Sequence, residues 1–457
     1  MTAGHAQDTR ESPATVRKAT IAAAAGNTIE TFDYGVYGYL TTILASRFFP
    51  EQTPGTALLS TLAVFGVAFV VRPLGSVLFG AMGDRLGRRA ALVLTLALIA
   101  GSTAAIGVLP TAHTAGVLAP VLLVLCRLLQ GLATGGEYST AVTYVAEHST
   151  TRRGALTSRV QIGSILGLVL AATLVLLLGS LLGDGAMAAW GWRLAFLAAL
   201  PMGVIGLVVR LTLDETPEFQ QIQQQAAVER APLRETFTHH REALLVVFGL
   251  AAIQQVGYYV VFSYVQTYLI RLGHSTDRAT LATLLALIVA MVVVACVGPW
   301  SDRVGRRPIL VAACAALVVF AYPLFALLSA TGNLAVVILV CAVMAIGPAA
   351  YTAVAPAAYT EAVPARVRAT TFAIGYNLAA AALGGPALYV SGLLINLTHD
   401  RRAPAYFLMA GALISLLAAL AVKRAPDGRA AGAGTEGGPA GRPPESGRIA
   451  AESGPPA

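Results

Sequence analysis

Long apolar stretches separated by short polar breaks run through almost the whole chain. Twelve of them, at approximately 19–45, 57–82, 90–110, 117–146, 156–182, 192–213, 243–270, 279–299, 308–330, 334–360, 369–395 and 403–423, are long enough to cross a bilayer, which takes about 20 apolar residues in a helix. Two polar segments interrupt the rhythm. Residues 214–241 form a charged, glutamine-rich linker between the sixth and seventh stretches, expected to be cytoplasmic and partly helical. Residues 425–457 are rich in Gly, Pro and Ala and too poor in apolar residues to build a core, so a disordered tail is expected there.

A short basic loop occurs twice, once in each half. Residues 80–89 read GAMGDRLGRR and residues 298–307 read GPWSDRVGRR, with Asp84 and Asp302 set 218 positions apart. A loop repeated at nearly half the chain length, between apolar runs, predicts two related membrane bundles. The expected fold is therefore all-α: twelve transmembrane helices in two pseudo-symmetric six-helix bundles, 19–213 and 242–424, with a polar segment 1–18 ahead of them.

Composition agrees with that class. Hydrophobic residues make up 56%, charged residues 12%, and the mean hydropathy is +0.70; soluble domains carry roughly twice that charge fraction. The formal charge of +8 falls mostly on one set of loops. With the N-terminus in the cytoplasm, that side receives Arg17, Lys18, Arg85, Arg88, Arg89, Arg152, Arg153, Arg303, Arg306, Arg307, Arg366 and Arg368, and the other side little beyond Arg47, Arg193, Arg271, Arg278, Arg401 and Arg402. That asymmetry places both termini in the cytoplasm of a cell-membrane protein. It explains the positive charge without a nucleic-acid partner. The four cysteines lie within apolar spans and lack metal-ligand spacing, the seven histidines lie in loops or at span edges, and neither Lys18 nor Lys423 follows a glycine-rich phosphate loop. Nothing in the sequence calls for an enzyme, a metal or a bound cofactor.

A charge inside a span is costly and normally functional, so the chemistry is sought there. The first span carries Glu30 and Asp33, on one helical face with Tyr37. The second carries Arg72, and the fourth Arg127 and Glu137. At about 1.5 Å rise per residue, Asp33 lies roughly 18 Å and Arg127 roughly 15 Å from the outer ends of their spans, so the two can meet near the midplane. Glu30, Arg72 and Glu137 lie roughly 13–17 Å from the inner ends and form a second tier. A carboxylate beside an arginine in low dielectric exists either as a charge pair or as a protonated acid beside a lone cation, and a shift between the two couples proton and solute movement. Glu137 follows Gly135 and Gly136, where a structural hydrogen bond is an alternative reading; Arg72 precedes Pro73 and has the alternative duty of satisfying carbonyls freed by the kink. The second half offers aromatics and amides instead, among them Tyr258 and Tyr259 mid-span and Asn377. Substrate-binding candidates are thus Tyr37, Arg72, Arg127, Tyr258, Tyr259 and Asn377.

At the loops, Asp84 among Arg85, Arg88 and Arg89 can pair with Arg88 or face a helix N-terminus across the half interface. Asp302, Arg303 and Arg306 repeat the arrangement. Glu147 precedes Arg152 and Arg153, and Glu361 precedes Arg366 and Arg368 at an offset of 214, so these groups are expected to join one cytoplasmic network. The alternative is that the loops are only positive-inside anchors.

The chain resembles the metabolite:proton symporters of the major facilitator superfamily. The likeness rests on GNTIETFDYGVYG at 26–38, VRPLGSVLFGAMGDRLGRR at 71–89, RLLQGLATGGEY at 127–138, EHSTTRRG at 147–154, WGWRLAF at 190–196, LDETPEF at 213–219 and SDRVGRRP at 301–308, and covers roughly 18–424. The resemblance implies the major facilitator fold, a monomer in the lipid bilayer, alternating access, and a loop motif that latches the cytoplasmic side in the outward-facing state. Related facilitators pair a first-span aspartate with a fourth-span arginine, which Asp33 and Arg127 match. The expected activity is symport of a proton, as coupling ion, with a small polar organic solute. A zwitterion such as proline or betaine is favoured, and a carboxylate such as 2-oxoglutarate, citrate or shikimate is the alternative. A drug:proton antiporter is less favoured, because RVQIGSILGLVLAA in the fifth span lacks the GxxxGPxxGG pattern.

Overall fold

The computed structural model describes residues 13–86, 88–135, 137–147, 152–211, 241–363 and 368–421. Residues 214–240 of the linker, the C-terminal tail and Arg366 lie outside the described residues. So do the side chains of Asp84, Arg85, Arg88, Arg89 and Glu147, although their backbone is helical.

In the first half, α1 (Pro13–Tyr39) bends at Leu40 into α2 (Thr41–Phe48). Next, α3 (Pro54–Val70) starts on a proline after Thr53, whose hydroxyl accepts from the Thr56 N–H, and continues as α4 (Arg72–Leu86). Then come α5 (Arg88–Val108), the single turn α6 (Ala112–Ala115), α7 (Leu118–Thr134), α8 (Glu137–Glu147) and α9 (Arg153–Ala186). A π-helical turn at Met187–Gly191 leads into α10 (Trp192–Leu197) and α11 (Ala199–Leu211).

The second half holds α12 (Arg241–Tyr259), a π-helical turn at Val260–Tyr264, and α13 (Val265–Arg271). It goes on with α14 (Thr276–Val304), α15 (Arg306–Ala330), α16 (Leu334–Ala362) and α17 (Arg368–Ala379). A third π-helical turn at Ala380–Gly384, then α18 (Ala387–Thr398) and α19 (Pro404–Ala421), complete it.

Nine runs are long and apolar enough to cross a membrane by length and composition. One of them, Arg153–Val208, is two passes, because Gly183 at φ 74°, ψ 163° breaks the helix where only glycine sits without strain. Helix α1, with Glu30 and Asp33 inside it, and α5, with its shorter apolar stretch Val93–Val108, supply the others. Twelve passes result among the described residues. Helices outrun the expected spans where a polar cap lies beyond the apolar stretch. Thus α14 runs from 276, capped by Ser275, to 304 rather than over 279–299. The apolar run marks the membrane's thickness; the capping residues mark the helix end.

The packing repeats with the sequence. In the first half α1 lies along α9; in the second, α12 lies along α17. The halves meet where α9 crosses α14 and, six passes on, where α3 crosses α18. The burial pattern is that of a lipid-facing protein. Leu74, Val77, Leu78, Leu177 and Leu181 point outward, while Glu30, Asp33, Arg72, Arg127, Gln130, Gln254 and Gln255 are buried.

Candidate functional site

The charged residues of the first half are brought together by a close helix crossing. Gly131 of α7 and Gly135, the residue that ends it, lie four residues apart. A Cβ at Gly131 would overlap the Ala68 carbonyl oxygen, and one at Gly135 the Arg72 carbonyl oxygen. With only hydrogen at these positions, α7 lies against α3 and α4, and Arg127 reaches α1.

Arg127 is fully buried. Its guanidinium lies 3.3 Å from Asp33 Oδ2 and donates to Gln130 Oε1 at 2.9 Å and to the Phe65 carbonyl at 3.2 Å. Asp33 Oδ1 accepts from Thr103 Oγ1 at 2.8 Å and from Gln130 Nε2 at 2.6 Å. Four helices, α1, α3, α5 and α7, thus contribute to one network, and the Tyr37 ring lies 4.6 Å from the Arg127 guanidinium carbon. A buried charge pair held on both sides by hydrogen bonds can lose or gain a proton without the helices parting.

One turn along α1, Glu30 lies 3.3 Å from Arg72. The break before Pro73 does not need this arginine, since the Phe69 carbonyl accepts from the Val71 N–H and the Val71 carbonyl from the Gly75 N–H. The guanidinium is free to lie 4.1 Å from the Phe69 ring centre and 4.9 Å from that of Tyr34. The Tyr34 ring centre also lies 5.3 Å from the Arg127 guanidinium carbon, and its hydroxyl bonds Thr134 Oγ1 at 3.1 Å. The two acid–arginine pairs are both present, and Tyr34 lies near the arginine of each; Glu137, expected in the second tier, is not in the Glu30–Arg72 pair.

The Glu30–Arg72 pair forms part of the wall of a central chamber of about 30 Å³, lined also by Asn27, Thr31, Tyr138, Gln161, Ser164, Gln254, Gln255, Tyr258, Tyr259 and Tyr376. That volume is of the order of one water molecule, so the walls must part before an organic solute fits. The lining is tied by its own hydrogen bonds. The Tyr138 hydroxyl donates to Gln161 Oε1 at 3.1 Å and accepts from Gln254 Nε2 at 3.1 Å; the Tyr258 hydroxyl donates to the Ser164 carbonyl at 3.0 Å, and that of Tyr359 to Gln254 Oε1. Tyr138 and Tyr376 stack at 4.7 Å, and Tyr258 and Tyr259 meet edge to face at 5.3 Å.

Hydrogen bonds tie the two halves at both ends. At the end bearing the repeated loops, Asp302 of α14 accepts from the Gly154 and Ala155 N–H groups at 2.9 Å each, capping α9 of the other half. Arg306 bonds Asp302 at 2.7 Å and Glu361 at 3.2 Å. At the opposite end, the Tyr39 hydroxyl donates at 2.8 Å to the Phe262 carbonyl in the second π-helical turn, and Gln266 Nε2 donates at 3.3 Å to the Tyr39 carbonyl.

Set against the sequence reading, Tyr258 and Tyr259 line the chamber with Arg72 and Glu30. Tyr37 and Asn377 do not. The Tyr37 hydroxyl is committed to the Thr61 carbonyl at 3.1 Å. Asn377 bonds the Gly135 carbonyl at 2.5 Å and Ser76 Oγ at 3.3 Å, a tie between the halves. Glu137 is buried at the start of α8, away from the lining. Arg303 is exposed and Arg153 half-buried at the loop end. Sequence reasoning missed Thr103, Gln130, Asn27 and Gln161. Gln130 was within reach, since it sits three residues after Arg127 on the same helix face.

The Major Facilitator Superfamily model matches residues 25–387. The chain is 37% identical to the glycine betaine/proline/ectoine/pipecolic acid transporter OusA of Dickeya dadantii over 419 residues, covering 89% of this chain and 83% of that one. It is 35% identical to the proline/betaine transporter of Salmonella typhimurium, with 89% and 83% covered, and 34% identical to the ectoine/proline transporter ProP of Corynebacterium glutamicum, with 87% and 82% covered. Among solved structures, the proton:xylose symporter XylE bound to 6-bromo-6-deoxy-D-glucose superposes with a TM-score of 0.73 at 20% identity, covering 89% of this chain and 95% of that one. The match over most of the chain, and relatives above 30% identity along nearly its full length, make this protein a member of the Major Facilitator Superfamily and an integral protein of the cell membrane.

Proposed function

We propose that this chain carries a small zwitterion, of the proline or betaine type, into the cell together with a proton by alternating access. It works as a single chain with both termini in the cytoplasm, and no chemical conversion of the solute is involved. The observation that carries the reading is the pair of buried acid–arginine contacts one turn apart on α1. Asp33–Arg127 is enclosed by hydrogen-bonding neighbours, and Glu30–Arg72 opens onto an aromatic chamber. The first is placed to hold the transported proton on Asp33. The second offers Arg72 to the carboxylate of a zwitterion, and tyrosine faces suit a methylated ammonium by cation–π contact. Three relatives named for proline, betaine or ectoine transport support the solute class. The Asp302 cap and the Arg306–Glu361 pair support a latch on the cytoplasmic side, with Asp84 its sequence counterpart in the first half.

The deciding experiment is uptake of radiolabelled proline, glycine betaine, 2-oxoglutarate and citrate into proteoliposomes, with and without an inward proton gradient. Gradient-driven accumulation of proline or glycine betaine is expected. Accumulation of the dicarboxylate or tricarboxylate alone would replace this reading with the carboxylate one, and uptake indifferent to the gradient would remove proton coupling.

A further inference from the structure

The chamber lining has an unbalanced hydrogen-bonding capacity. Four of its acceptors are engaged: Gln161 Oε1 takes the Tyr138 hydroxyl, Gln254 Oε1 takes that of Tyr359, the Ser164 carbonyl takes that of Tyr258, and Glu30 is held by Arg72. The buried polar atoms of the lining without a hydrogen-bond partner are Asn27 Nδ2, Gln255 Nε2 and Arg72 Nε, and all three are donors. Their residues are 1%, 2% and 3% exposed. A buried donor without an acceptor is a standing cost, and a surplus of donors alone fits a ligand that brings acceptors. The remaining lining is Thr31, whose hydroxyl donates to the Asn27 carbonyl, and the tyrosines, whose rings can hold a cation.

We infer that Asn27 and Gln255, with Arg72, bind the solute's carboxylate, and that the tyrosine faces take a nitrogen with no hydrogens to donate. The inference rests on the zwitterion reading above and makes it specific. The unpartnered donors sit on α1 and on α12, so one carboxylate reaches both halves. At the nitrogen end, the lone lining carboxylate already serves Arg72, and tyrosine rings hold a methylated nitrogen without an acceptor for N–H groups, which an unmethylated ammonium needs. Affinity therefore rises with N-methylation.

The test is equilibrium binding to the purified full-length protein, with radiolabelled glycine betaine as probe. Competitors are glycine, N-methylglycine, N,N-dimethylglycine and choline, the last keeping the trimethylammonium but lacking the carboxylate. In the unmodified protein, affinity should climb along the methylation series, by at least tenfold from glycine to glycine betaine. In Gln255→Glu and Asn27→Asp, which replace an N–H donor by an acceptor at nearly constant volume, glycine betaine should bind at least tenfold more weakly. Choline should bind as well as before or better. Glycine betaine binding unchanged in both variants, or betaine and choline lost together, would overturn the carboxylate assignment. A flat methylation series would overturn the nitrogen assignment without relying on any variant. An unmodified protein that binds neither glycine betaine nor proline would overturn the zwitterion reading itself, a failure distinct from loss of discrimination in the variants.

Discussion

Glu30 and Asp33 stand one turn apart on α1, yet each faces an arginine from a different helix, Arg72 of α4 and Arg127 of α7. Two acids so close in a low-dielectric interior would repel strongly if both were ionised without cations. Separate partners allow them separate duties.

The duty assigned to Asp33 is the proton. Asp33→Asn keeps an acceptor for Thr103 and Gln130 and removes the titrating group. That variant should exchange labelled for unlabelled solute across the membrane and fail to accumulate it under an inward proton gradient. Full gradient-driven accumulation in proteoliposomes would assign the proton elsewhere.

Arg127→Gln leaves Asp33 buried without its cation, and losing one partner of a buried pair is expected to destabilise by about 3 kcal/mol. The thermal unfolding midpoint in detergent should fall clearly. The double variant Asp33→Asn/Arg127→Gln should recover most of that loss, since no lone charge remains. Because Arg127 does not line the chamber, glycine betaine binding should stay within a few-fold; complete loss of binding in a folded variant would make Arg127 the carboxylate ligand.

Asp302 caps the N-terminus of α9 from across the half interface. Asp302→Asn weakens that cap, at a cost of about 1 kcal/mol to the state closed at this end. A shift of that size moves a conformational equilibrium roughly fivefold. Cysteine-accessibility labelling from each side should register more opening at the loop end, with solute affinity preserved. Unchanged labelling would reduce Asp302 to a local anchor.

Gly135→Val places a branched side chain where the Arg72 carbonyl and Ser76 already sit. Forcing α7 from α4 should cost about 1–3 kcal/mol and loosen both tiers at once. Lower thermal stability and lost uptake are expected together. A stable, active variant would show that the crossing is not what assembles the site.

The acid–arginine tiers were legible in the sequence because depth along a helix is linear in residue number, so Asp33 and Arg127 could be placed at one level before any packing was known. The repeated loop likewise announced Asp302. What the sequence did not carry was the identity of Asp302's partner, the backbone of Gly154 and Ala155, because backbone N–H groups leave no residue signature. The chamber lining was only half legible for a related reason. Tyr258 and Tyr259 stand out in an apolar span, but Asn377 looks equally suitable and turns instead to Gly135 and Ser76. Which face of a helix a neighbour covers is settled by the packing of several helices together.

Tyr34 gives the two tiers a shared surface, with Arg72 at 4.9 Å and Arg127 at 5.3 Å from one ring. If a solute draws Arg72 toward its own carboxylate, as proposed, that ring loses one of its two cations. Linkage then works in both directions: by whatever factor a bound proton strengthens solute binding, bound solute strengthens proton binding by the same factor. Under the proposed symport, Tyr34 carries neither passenger yet is the ring that both arginines touch, and a change at that ring is expected to alter the coupling.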